Sequence, residues 1–215
     1  MLEKSRADYL SQLDDRIVIL EPDSHQWRTF GSPIRKRPLE SVILPTELKE
    51  DCVQDMQNFL NSSDWYIEKG INHQRGYLFH GPPGTGKTSF IKALAGFLNY
   101  NIAVLSISSW HMDDTRLMTL FANLPPATML LLEDIDAAMV NRSVQTENSQ
   151  FQGMQGGVTL SGLLNALDGI IGGDARIVCM SCKIYTITKT KFAFSNFFYD
   201  GSHFLRNLIF IFGIA

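Results

Sequence analysis

From Gly76 to Met180 the hydrophobic pattern switches between two periods. The apolar runs YLF (77–79), IAVLSI (102–107), TMLLLED (128–134) and RIVCM (176–180) are short and read as buried strands. Residues 88–98, DDTRLMTLFANL (113–124) and TLSGLLNALDG (159–169) carry apolar positions three and four apart and read as helices. Strands alternating with helices predict a three-layer α/β unit with a mostly parallel sheet. Upstream, residues 3–14 read as a short helix with Leu10 and Leu13 on one face. RIVILE (16–21) and HQWRTFG (25–31) read as strands, and PIRKRP (33–38) as a basic, proline-bounded linker. SVIL (41–44) reads as a further strand. The helix that follows carries Leu48, Cys52, Met56, Phe59 and Leu60 along one stripe, with Thr46 as its N-cap.

After Met180 the texture changes. Neither period persists, and seven of the chain's 14 phenylalanines fall there: 192, 194, 197, 198, 204, 210 and 212. A tail this apolar, left exposed, promotes aggregation.

Composition narrows the class. A chain of 215 residues with 45% hydrophobic positions builds one domain with appended pieces. A net charge of -3 argues against bulk nucleic-acid binding. Three cysteines make no disulfide framework and fit a reducing compartment. The mixed-charge N-terminus reads as neither a signal nor a transit peptide. The apolar stretch LIFIFGIA falls short of the roughly 18 residues a membrane span needs, so no membrane anchor or targeting segment is expected within the chain.

The chemistry starts at GPPGTGKT, residues 81–88, a full match to the phosphate-binding pattern between a strand and a helix. Gly81, Gly84 and Gly86 let the backbone curl so that successive N–H groups face one concavity. The positive end of the following helix adds to it. Lys87 is placed to reach the β- and γ-phosphates and the Thr88 hydroxyl to hold Mg²⁺. The nucleotide-binding set is Gly81, Pro82, Pro83, Gly84, Thr85, Gly86, Lys87, Thr88 and Ser89, with ATP and Mg²⁺ as cofactors. About 45 residues on, TMLLLEDID ends an apolar strand in Glu133, Asp134 and Asp136. That strand is expected beside the one that precedes the phosphate loop, with its carboxylates facing the phosphates. One carboxylate then holds Mg²⁺ through water and its neighbour orients the attacking water.

Other candidates carry less. Cys179 and Cys182 form a lone C-x-x-C with its first member inside a strand, which reads as chance spacing and not a zinc or redox site. The five histidines show no metal spacing, and His80 reads as a strand-end packing residue. Ile34 to Arg37 read as a solvated linker, and Trp110 and Met112 as packing at a strand-to-helix loop.

GYLFHGPPGTGKTSFIKALAG, LLLEDIDAA and LSGLLNALDG together resemble the AAA ATPases. WRTFGSPIRKRPLESVILP and SDWYIEKGINHQRGYLF resemble the lead-in of the mitochondrial inner-membrane chaperones of the Bcs-one type, over residues 8 to 180. AAA proteins usually carry Asp-Glu at the strand end. The inverted Glu133-Asp134 gives Glu133 the magnesium role and Asp134 the water-activating role, with Lys87 as the third catalytic group. Gly70 and Ile71 match the segment that borders adenine in that family. The resemblance implies a homo-oligomeric ring in the mitochondrial inner membrane. There, ATP-driven motion moves a folded client, the Rieske iron–sulfur protein, across the membrane during assembly of respiratory complex III. Nucleic acid is not among the implied partners, and membrane association falls to a segment outside this chain.

The implied boundaries are 1–40, the last portion of a family-specific domain with its linker; 41–181, a partial AAA core without the helical lid; and 182–215, a divergent tail. Departures from the family centre on the end of the fourth strand. Lys183 stands at the sensor position, and no RPGR arginine-finger segment follows. An arginine finger contributes about 10³-fold or more in rate. The alternative expectation is therefore a truncated chain that binds ATP and hydrolyses it poorly. A DNA-remodelling or clamp-loader ATPase is the more remote reading, opposed by the net charge and the lead-in.

Overall fold

The computed structural model describes residues 15–107, 109, 112–133, 135, 158–168, 175–182 and 208–211. Nine strands and five α-helices lie among them. The strands are β1 (Arg16–Ile17), β2 (Ile19–Asp23), β3 (Gln26–Thr29), β4 (Ile34–Arg35), β5 (Gln74–His80), β6 (Asn101–Ser106), β7 (Thr128–Glu133), β8 (Arg176–Cys182) and β9 (Leu208–Ile211). The helices are α1 (Thr46–Leu60), α2 (Ser63–Lys69), α3 (Lys87–Leu98), α4 (Asp114–Ala122) and α5 (Leu160–Asp168). Seven strands form one sheet in the order β3-β2-β6-β7-β8-β5-β9. All its pairs are parallel except the β2–β3 hairpin.

Alternation along each strand builds two cores, because successive side chains point to opposite faces. Tyr77, Phe79, Met129, Leu131, Ile177 and Cys179 pack on one face with α1 and α3, against Met56, Phe59, Phe90, Ile91 and Leu94. Leu78, Leu130, Leu132, Val178 and Met180 pack on the other with α4 and α5, against Leu117, Leu120, Phe121, Leu163 and Leu167. Both faces covered is the arrangement parallel sheets require, and it explains why these strands read as continuous apolar runs. The three-layer α/β fold expected from the pattern is the fold observed.

Several local expectations change. SVIL is no strand: Leu39–Ser41 form a 3₁₀ turn, Val42 is buried and Ile43 is 95% exposed. The turn is held by Ser41 Oγ, which donates to the Pro38 carbonyl at 2.7 Å and accepts from Arg37 Nε at 2.8 Å. Thr46 is the first helical residue of α1 and Pro45 takes the cap position, so no side chain caps this helix. The stretch PTELKEDCVQDMQNFLNSSDWYIEKG (45–70), which reads as one helix, breaks at Asn61 and resumes as α2, which Gly70 closes in a left-handed conformation at φ +63°. The basic linker is strapped down. Ile34–Arg35 pair antiparallel with Arg16–Ile17, Arg35 meets Asp15 at 2.9 Å, and Lys36 Nζ donates to Asn99 Oδ1 at 2.5 Å. The helix read at 3–14 lies outside the described residues.

Two corrections concern strand placement. β7 does not lie beside β5: β8 is inserted between them, pairing with both. β8 also runs past Met180, with Ser181 opposite Phe79 and Cys182 opposite His80. Cys179 and Cys182 therefore sit three apart in one strand, Cys179 in the α3-side core and Cys182 in the α4-side core. They point to opposite faces, which rules out a joint site. In the stretch read as aperiodic, Leu208–Ile211 form β9, parallel to β5 at the sheet edge. The hairpin β2–β3, upstream of residue 40, belongs to the same sheet through its pairing with β6.

Candidate functional site

Parallel strands bring their C-terminal ends to one edge, and loops following those ends build the site. β5 ends at His80 and delivers the chain to Gly81. Gly84 (φ +84°) and Gly86 (φ +89°) are left-handed, a conformation that costs any other residue about 1–2 kcal/mol. A β-carbon at either would meet nothing within 4 Å, so backbone conformation and not crowding demands glycine. Gly81 adopts no such conformation and is buried instead. α3 begins at Lys87 with no acidic residue of its own in its first turn, so its positive end faces the loop.

Lys87 folds back over the loop: its Nζ donates to the Gly81 carbonyl at 2.7 Å and the Pro82 carbonyl at 2.8 Å. Thr85 Oγ1 donates to the same Pro82 oxygen at 2.8 Å and tightens the turn. Thr88, on the next position of α3, donates from Oγ1 to Glu133 Oε1 at 3.3 Å. This contact spans 45 residues. It shows that the strand-end carboxylate reaches the phosphate loop even though β8 separates the two strands. Pro82, Pro83 and Gly84 are exposed, and Thr85 to Ser89 are half-buried. Asp134, Asp136, Trp110 and Lys183 lie outside the described residues, whereas Ile135 is buried in the α4-side core.

Thr88 and Glu133 also line a cavity of about 470 Å³ over the α3 face of the sheet. Its other walls include Lys92, Ser106, Ser109, Glu21, Val104 and Phe30. Sequence reading missed Lys92, although its spacing of four from Thr88 on a helix puts the two on one face. Gly70 and Ile71 are not brought to the loop. They precede the N-terminal end of the seven-residue β5, and the loop follows its other end, about 20 Å along the strand at ~3.3 Å per residue. Gly70 caps α2 and Ile71 packs into the α3-side core.

Behind the loop, β5 is anchored to α1 by a polar triad. Asp55 accepts from Arg75 (Nη2 at 2.6 Å, Nε at 3.3 Å) and from the Tyr77 hydroxyl at 2.6 Å. Burial pushes the Tyr77 phenol up, and its bond to Asp55 adds to the effect. Burial works to lower Arg75, but the Asp55 carboxylate outweighs it and the net shift is upward.

The model of the ATPase family associated with various cellular activities (AAA) matches residues 77–197. The chain belongs to the AAA family. That match begins in the phosphate-loop strand and continues beyond residue 180, where the resemblance read from sequence ends. Among curated relatives, "Mitochondrial chaperone BCS1" of Homo sapiens is 44% identical over 182 residues, 84% of this chain and 43% of that protein. The protein of the same name in Danio rerio is 46% identical over 183 residues, with the same shares. The Bos taurus protein is 44% identical over 182 residues. The chain thus spans less than half the length of these relatives. Its likeness within the AAA family is to the BCS1 type, as the lead-in residues imply.

Proposed function

We propose that this chain is the nucleotide-binding core of a mitochondrial AAA chaperone of the BCS1 type, which binds MgATP and hydrolyses it. The observation that carries the reading is the convergence of Lys87 and the Thr88–Glu133 pair on one glycine loop. A loop of backbone N–H groups at a helix N-terminus receives phosphate. The Lys87 ammonium, which donates to two carbonyls of the loop, is placed to pair with phosphate oxygens, where both partners carry charge. The half-buried hydroxyl and carboxylate of Thr88 and Glu133 are hard oxygen donors of the kind Mg²⁺ takes beside phosphate. Bound there, Mg²⁺ would neutralise charge on the phosphates. Asp134, adjacent in sequence, is the base assigned to the attacking water. The wider role proposed with it is that of the BCS1 type: a homo-oligomeric ring of the mitochondrial inner membrane that moves a folded iron–sulfur protein. No helix among the described residues is long and apolar enough to cross a membrane.

Isothermal titration of the folded chain with MgATP tests the reading. Saturable binding is expected, and Lys87→Ala should weaken it at least tenfold, the loss of one charge-assisted contact. Heat-silent titration of folded protein, confirmed with a fluorescent ATP analogue, would overturn it. Turnover compared between the chain and Lys87→Ala separates hydrolysis from binding alone: equal rates would favour the binding-only reading.

A further inference from the structure

Thr88 has a lysine on either side. Lys87 bonds the loop carbonyls, as described. Lys92 follows Thr88 by four positions on α3, so about 5–6 Å separates their β-carbons on one helix face. Lys92 lines the same cavity as Thr88 and Glu133 and is half-buried there. It makes no ion pair with a described residue. Among the described residues, the other charged groups of the cavity are Glu133, which Thr88 contacts, and Glu21, exposed at the edge hairpin. The cavity therefore places an ammonium beside the position where phosphate and metal charge meet.

We propose that Lys92 is a second cation of the nucleotide site, one that attracts the bare ATP anion and weakens the hold on Mg²⁺. The inference rests on the nucleotide-binding reading above. A fixed positive charge near the site favours an anion and disfavours a divalent cation by the same Coulomb law. ATP without metal gains from Lys92, whereas Mg²⁺ entering beside Glu133 is repelled by it. The chain should therefore bind ATP in the absence of metal better than its Thr88–Glu133 pair alone would allow. Magnesium should then improve that affinity less than it otherwise would.

The test is a linkage measurement on the full chain. Affinity for ATP is measured with excess EDTA and with saturating Mg²⁺, for the natural chain, Lys92→Met, Lys92→Gln and Lys92→Arg. At an effective dielectric constant of about 20, screened over a Debye length of about 10 Å, unit charges about 8–10 Å apart alter an equilibrium constant by about three- to fivefold. Lys92→Met and Lys92→Gln should lose that factor in EDTA, and the enhancement by Mg²⁺ should rise by about the same factor. Lys92→Arg should keep the natural ratio. Raising the salt, which shortens the screening length below about 10 Å, should shrink the difference. A purely structural effect lowers both affinities together and leaves the enhancement ratio unchanged. An unchanged ratio in both neutral variants would overturn the proposal. Absence of ATP binding by the folded natural chain in both media would instead sink the nucleotide-binding reading, and this inference with it.

Discussion

Gly162 has no room for a β-carbon. A methyl group there would enter the Asp114 carboxylate. That carboxylate accepts from the Thr159 amide and the Thr159 hydroxyl, both at 2.8 Å. Thr159 Oγ1 in turn accepts from the Gly162 amide at 2.8 Å, as an N-cap does. The first turn of α5 is thus clamped to the first turn of α4 by one half-buried carboxylate. In an ordinary helix, glycine to alanine stabilises by about 1 kcal/mol. Here the sign should reverse. Displacing Asp114 forfeits two charge-assisted hydrogen bonds, each contributing about 1.5–3 kcal/mol when well shielded and less at this partial exposure. Net of the helical gain, Gly162→Ala should cost about 1–2 kcal/mol. In an Asp114→Ala background the obstacle is gone, and the same change should stabilise by about 0.5–1 kcal/mol. Urea unfolding of the four proteins in this double-mutant cycle measures both numbers. A stabilising Gly162→Ala in the natural background, or an equal effect in both backgrounds, would refute the argument.

Three further outcomes follow from the geometry. Burial, and then the Asp55 charge, push the Cys52 thiol from 9.0 up to about 12. Stability from this group is full below pH 9.0 and lost as pH rises towards about 12, by ~1.4 kcal/mol per unit, because only the unfolded thiol ionises in that window. Urea midpoints across the alkaline range should fall less steeply for Cys52→Ala, and an unchanged slope would count against it. Gly86→Ala places a methyl-bearing residue at φ +89°, so it should cost about 1–2 kcal/mol in thermal or urea unfolding and weaken ATP binding. Wild-type affinity in that variant would contradict the left-handed loop. Trp27→Phe removes the indole donor that meets the Leu120 carbonyl at 2.8 Å and should cost about 1 kcal/mol by chemical denaturation. No loss would mean that the hairpin is not held by this bond.

How much of this was written in the sequence depends on range. The phosphate loop is local: eight consecutive residues between a strand and a helix determine its backbone, and the pattern names each role. Strand identity is also local, since runs such as TMLLLE leave no polar face for solvent. Strand order is not, because nothing in β7 or β8 records which one lies beside β5. Periodicity also misleads where a ladder partner is missing. SVIL reads as a strand, yet it lies between prolines, Ser41 closes a 3₁₀ turn held by Arg37, and Val42 to Leu44 join no sheet. The adenine assignment for Gly70 and Ile71 came from resemblance alone, and the length of β5 separates them from the loop. Lys92 was legible in principle from its helical spacing to Thr88, but the cavity that gives it meaning needs β2, β6 and the hairpin in place.

That hairpin changes what the lead-in is for. It lies upstream of residues 77–197, yet it continues the sheet through β2 and β6. Its turn is fastened to α4: Trp27 Nε1 donates to the Leu120 carbonyl, Arg116 Nε to the Ser24 carbonyl and Asn123 Nδ2 to the His25 carbonyl. α4 is held to α5 by Asp114. A tether would let the upstream segment move freely, whereas three hydrogen bonds and a strand pairing make it part of the same packed unit. The hairpin also supplies Phe30 and Glu21 to the cavity that contains Glu133. Anything that shifts the hairpin must therefore either break those bonds, at about 1 kcal/mol each, or move α4 with it. The second course leads through Asp114 to the start of α5, on the far side of the sheet from the phosphate loop. A load applied to the lead-in would thus be shared by both faces of the sheet instead of being absorbed by a linker.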